Sequence, residues 1–153
     1  MKKISAYDFY LKVCIWTFCC LILAGICGQI KAEIIKAERS SQESSAFQAI
    51  STINRLQNQY AAKHRGKFAP NFYELVKAEN LDKNFCAENP VLSGYVFEMK
   101  VSEPTGQSPP FYSVTADPLD FKDDLRHFYI DSTLGSIRGT EENRPARAPD
   151  PAI

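Results

Sequence analysis

Outside one apolar run, this sequence of 153 residues has a single cysteine, Cys86; the other four, Cys14, Cys19, Cys20 and Cys27, all fall between residues 13 and 30. A lone thiol closes no intramolecular disulfide, so residues 31–153 are not a disulfide scaffold. The four clustered cysteines have apolar neighbours and no histidine among them, which sets aside a metal site and leaves small hydrophobes on a helix. Histidine is scarce, with only His64 and His127. No nucleophile elbow, paired metal-ligand motif or phosphate loop is present. The expectation is therefore a protein that is not an enzyme, with no cofactor and no small-molecule substrate. An excess of either charge is also missing, since 18 Lys and Arg balance 18 Asp and Glu. That balance argues against a nucleic-acid partner, which calls for a basic surplus.

What the sequence does have is an uncharged run at residues 13–30, VCIWTFCCLILAGICGQI. Its length suits a helix crossing a bilayer, and Tyr10 and Trp16 suit one interface. Lys2, Lys3 and Lys12 precede the run, and Lys31, Lys36 and Arg39 follow it. The basic side chains tie, so only the amino terminus favours an N-inside orientation. The expected arrangement is a cytoplasmic segment over residues 1–12, a single transmembrane helix over 13–30 in the inner membrane, and the remainder on the exported side. The rival is a signal peptide cut after Ile30-Lys31-Ala32, which would release a secreted or periplasmic binding module. Cys20, Ala24, Gly28 and Ala32 recur every four residues, and such a stripe lets helices approach closely in lipid. Membrane lipid and a helix partner are the implied contacts.

Between Gly28 and Gly66 there is neither glycine nor proline. Nothing stops the helix at the end of the apolar run, so residues 31–65 are expected to continue it. Phe47, Ile50, Ile53, Leu56 and Tyr60 form an apolar stripe on this half, which needs a surface to cover it. Gly66 is a natural stop, with Lys63, His64 and Arg65 placed well for the negative helix end.

Residues 66–139 read as an α+β head. Residues 71–79, NFYELVKAE, predict a short helix capped by Asn71. Four strand signals follow. Residues 95–101 alternate, with Tyr95, Phe97, Met99 and Val101 on one face; strands are also expected at 111–116, 126–131 and 136–138. Short loops imply antiparallel pairing, and the resulting meander has one apolar face to lay on the apolar stripe of the helix. The fold class is thus α+β, with a long N-terminal helix packed on a small antiparallel β-meander. Residues 140–153, rich in proline, alanine and charge, read as a disordered tail.

Three residue groups outside the core call for weighing. Asp117, Asp120, Asp123 and Asp124 crowd one loop that could hold calcium, but no EF-hand spacing accompanies them, and a solvated acidic loop is the simpler reading. His64 reads as a helix end and His127 as a strand residue. Cys86 follows Phe85 and reads as a buried small hydrophobe, with an intermolecular disulfide as the alternative.

The order of AERSSQESSAFQAISTINRLQNQY, FYELVKAENLD, SGYVFEM, FYSVTADP and RHFYIDSTLGSIR, over residues 36–139, resembles type IV pilins and the pseudopilins of type II secretion. The resemblance implies a subunit held in the inner membrane and packed through its N-terminal helix against other pilin-like subunits or copies of itself. The sequence departs from that family in one respect. It has no FTLIE-like segment after a glycine and no glutamate inside the apolar run. The expectation is a divergent anchored relative that keeps the head without the processing signal.

Overall fold

A computed structural model describes the backbone from residue 6 onward, apart from residues 106–107 and 121–124, and side chains from residue 29 onward. Helix α1 runs unbroken from Ala6 to Lys63. Most of the apolar run 13–30, and with it Cys20, Ala24 and Gly28, lies outside the residues with described side chains. Among the described residues, no helix is long and apolar enough to cross a membrane. The helix ends where Arg65 and Gly66 take left-handed backbone, at φ 56° and 83°, and the Gly66 N–H donates back to the Ala61 carbonyl at 2.8 Å. A Cβ on Gly66 would meet nothing within 4 Å, so the glycine is required for its conformation and not for space.

The chain divides into two compact units, residues 1–39 and 40–153. In the first, every described side chain from Gln29 to Glu38 is exposed, including Ala32 of the small-residue stripe and Ile30, Ile34 and Ile35.

The second unit is the head. It contains the rest of α1, a short helix α2 (Phe72–Glu79), a 3-10 turn (Lys83–Cys86) and five strands. These are β1 (Val91–Leu92), β2 (Tyr95–Ser102), β3 (Phe111–Pro118), β4 (His127–Asp131) and β5 (Arg138–Thr140). The sheet order is β1-β2-β3-β4-β5, and every pairing is antiparallel. The result is an α+β layout of pilin-like form, with one long helix against an antiparallel meander. The extra strand β1 arises because Ser93 and Gly94 adopt positive φ and fold Val91–Leu92 back on β2. Helix α2 begins where Asn71 Oδ1 accepts the Glu74 N–H at 2.9 Å and ends at left-handed Asn80.

Strand alternation sorts the sheet into two faces. Tyr95, Phe97, Tyr112, Val114, Ala116, Phe128 and Ile130 are buried in one core with Ile50, Ile53 and Leu56 of α1. Rings interlock at its lower end, where Phe85 meets Phe97 at 5.1 Å and Phe72 at 5.4 Å. Such pairs add about 1 kcal/mol each beyond the area they bury.

The helix stripe differs in detail from its expected composition. Ile50 and Ile53 are fully buried, Leu56 nearly so, and Tyr60 packs at the margin. Phe47, by contrast, is 37% exposed and meets Phe128 edge-on, with ring centroids 6.2 Å apart. Spacings of three residues drift against a 3.6-residue period, so nine residues separate Phe47 from Leu56 by about half a turn. Ala46, Ile50, Ile53 and Gln57 are fully buried, and Leu56 flanks them.

Two further expectations are corrected. Cys86 is exposed, because the 3-10 turn spends its inward position on Phe85. Residues 140–153 are not disordered. They fold back along β5 through the bridge Arg138↔Ala152, and Ala146 and Asp150 are buried. Composition missed this because backbone pairing and one ion pair hold the segment, with little help from apolar side chains.

Candidate functional site

The face of the sheet turned away from α1 is polar. Register places Asp117, His127 and Thr140 in one transverse line across β3, β4 and β5, with Val96 next to Asp117 on β2. The next line carries Glu98, Thr115, Tyr129 and Arg138, and the third carries Lys100, Ser113 and Asp131. His127 Nδ1 lies 2.6 Å from Asp117 Oδ1, with His127 almost fully buried and Asp117 largely so. Thus one carboxylate of the expected acidic loop belongs to the sheet and is occupied by a histidine. Asp120 follows in the described chain, while Asp123 and Asp124 lie outside the described residues. Among the described residues, no cluster of three His, Cys, Asp or Glu side chains could hold a metal.

Asp131 organises the turn after β4. Its Oδ1 accepts from Thr133 N at 2.7 Å, Thr133 Oγ1 at 2.6 Å and Leu134 N at 3.1 Å, and its Oδ2 accepts from Tyr129 Oη at 2.9 Å. Burial works against the charge of Asp131, but the bonds from Thr133, Tyr129 and Leu134 outweigh it and hold the carboxyl below its usual range. Burial, with help from this carboxylate, pushes the Tyr129 phenol up to about 12. Tyr112, buried on the other face with its hydroxyl on Asn54 Oδ1, is also pushed up to about 12, first by burial and then by Asp131. Burial raises Tyr95 too, with Glu43 adding to the effect; its hydroxyl donates to the Arg126 carbonyl at 2.9 Å.

His64 stacks on Tyr60 at the end of α1, with ring centroids 3.9 Å apart, as a helix-end residue would. Cys86 lines a surface groove with Tyr73 and Met99. His64, His127 and Cys86 therefore occupy three different places: a helix end, a sheet face and a 3-10 turn.

Two polar features lie outside the expectations drawn from the sequence. Gln57, fully buried on α1, grips the Ala69 peptide from both sides: its Nε2 donates to the Ala69 carbonyl at 3.0 Å and its Oε1 accepts the Ala69 N–H at 2.9 Å. It fixes the chain as it turns back from α1 towards α2. The second is the clip in the tail. Arg144 Nη1 and Nη2 donate to the two oxygens of Asp150 at 2.9 and 2.7 Å, and its Nε donates to Glu142 at 2.6 Å. Arg144 holds the Asp150 carboxyl down to about 2. The only sequence signal for either was a polar residue on an apolar helix line and an Arg–Asp pair within a proline-rich segment.

Between α1 and the β4–β5 edge runs a groove of about 310 Å³, lined by Glu43, Phe47, Arg126, Phe128 and Ile153. Glu43 crosses it to accept the Arg126 N–H at 3.0 Å, and Arg126 Nη2 donates to Glu141 at 2.7 Å. These bonds tie β4, the helix and the start of the tail together. Comparison with protein-family models, curated proteins and solved structures gives no match.

Proposed function

We propose that this protein is a membrane-anchored, pilin-like structural subunit, or a minor component, of an assembly of the type IV pilus or type II secretion kind. The observation that carries this reading is the continuity of α1. One helix from Ala6 to Lys63 bears the uncharged run 13–30 and ends within a head whose meander lies over Ile50, Ile53 and Leu56. Such a helix has two tasks that do not compete. Its early part is free for lipid and for other helices, while its last part is fixed by the head. In this reading residues 13–30 lie in the inner membrane and the head is on the exported side. The partners are lipid and other pilin-like subunits, or copies of this chain, with Cys20, Ala24, Gly28 and Ala32 as the close-approach line. The polar outer sheet face and the surface grooves add interaction area.

Carbonate extraction of membranes, followed by intact-mass measurement, tests the reading. The expected result is a chain that stays with the membrane and retains residues 1–30. A carbonate-soluble chain beginning near Glu33 would contradict it and favour a released secreted or periplasmic binding module.

A further inference from the structure

We propose that the outer edge of β5 is a strand-addition site, filled in cis by residues 151–153 and open, once the tail is released, to the same segment of a second copy of this chain. The backbone geometry is that of an added strand. The Gly139 N–H donates to the Pro151 carbonyl at 3.0 Å, and the Ile153 N–H donates to the Ile137 carbonyl at 3.0 Å. These groups would otherwise stand unpaired on the last strand of the sheet, where an extended peptide adds most readily.

The side-chain seat is equally specific. A Cβ on Gly139 would come within 3.0 Å of Ile153 Cδ1 and 3.0 Å of Arg126 Cδ, so the bare glycine leaves room for the tip of this isoleucine, whose side chain is otherwise 42% exposed. Gly139 pairs with Phe128, which faces the core, so Ile153 extends the apolar line of the sheet on the side of α1. The seat therefore recognises an extended segment with an isoleucine at one defined position, and the chain carries that segment itself.

The strap is held lightly enough to leave. Between Glu141 and Ile153 only Ala146 and Asp150 are buried. The bidentate Arg144–Asp150 clip bends the segment back, and Arg147 N–H adds a 2.7 Å bond to the same carboxylate. Pro145, Pro149 and Pro151 keep the released segment extended, which lowers the ordering cost of adding it to another sheet. A tethered tail reaches its own edge at an effective concentration on the order of millimolar, so the cis arrangement dominates until the clip is lost. Exchange of an identical element between copies then needs no new surface.

The test uses the full chain in mild detergent, Arg144→Ala, and a labelled peptide of residues 141–153. Hydrogen exchange at the Gly139 and Ile153 amides reports release, and fluorescence anisotropy reports peptide binding. The expected result is faster exchange at those two amides, with Val114 and Ile130 unchanged, and peptide binding about tenfold tighter than to the unsubstituted chain. A peptide carrying Ile153→Asp should bind neither protein. Unchanged exchange at both amides would overturn the clip and with it the proposal. Faster exchange without peptide binding, or equal binding of the Ile153→Asp peptide, would overturn the strand-addition site.

Discussion

Ile34 and Ile53 occupy the same helix, and their fates are opposite. Ile34 is 59% exposed, while Ile53 is fully buried under the meander. Both sit in helical segments free of glycine and proline, so propensity does not separate them. What separates them is the surface they meet within their own unit. Helix formation in α1 is a local matter; its burial is decided by strands that lie forty to eighty residues further along the sequence. The comparison makes residues 46–60 part of the head and leaves residues 29–38 available to something else.

Substitution should expose that difference most strongly at the buried end. Ile50→Ala or Ile53→Ala is expected to destabilise the head by about 3 kcal/mol, through lost burial and a residual cavity. The measurement is the urea midpoint of the full chain in detergent, followed by tryptophan-independent circular dichroism of the sheet. Equal losses from Ile34→Ala would erase the distinction; the expected loss there is within about 0.5 kcal/mol.

Alkali probes both faces of the sheet from their phenols, Tyr112 on the core side and Tyr129 on the polar side. Tyr112 and Tyr129 keep their protons to about 12 when folded, against 10.0 when unfolded. The folded state then binds more protons than the unfolded one above pH 10, so stability must fall as pH rises from 10 through 12. Absorbance titration near 295 nm should show tyrosines ionising late and together with unfolding. Tyrosines that all titrate near 10 in a folded chain would deny that the sheet is covered.

Gln57→Ala should cost about 2 kcal/mol, because it strands the buried Ala69 amide and carbonyl without partners. The loss should be larger than that of exposed Gln59→Ala in the same denaturation series. Asn71→Ala, which removes only the cap of α2, is expected to cost about 1 kcal/mol. A cap variant costing more than the Gln57 variant would mean that α2, not α1, anchors the head.

Much of this architecture is legible in the sequence. The alternation from Tyr95 to Val101 and the run between Gly28 and Gly66 each carry their own period, and those elements stand with shifts of one or two residues at their ends. Strand β3 runs on to Pro118, taking Asp117 out of the loop and into the sheet. Features that depend on a distant partner were not legible. Gln57 has meaning only once Ala69 is known to lie beside it, and Asp117 only once register brings His127 opposite. The tail was the largest miss. Its proline-rich composition describes the free chain well, whereas its ordered path depends on two backbone bonds to β5 and the Arg144–Asp150 clip. Phe47 shows the complementary error, where an apolar residue at a plausible spacing drifted off the buried line by simple helical geometry.

Hydrogen exchange along α1 in the full chain tests the central contrast most directly. Amides of residues 46–60 should be protected to the same degree as those of β2 and β3, and amides of residues 30–38, whose side chains are exposed, should exchange markedly faster. Uniform protection from residue 30 through residue 60 in the isolated chain would contradict the account, because the head would then secure far more of the helix than its buried residues allow.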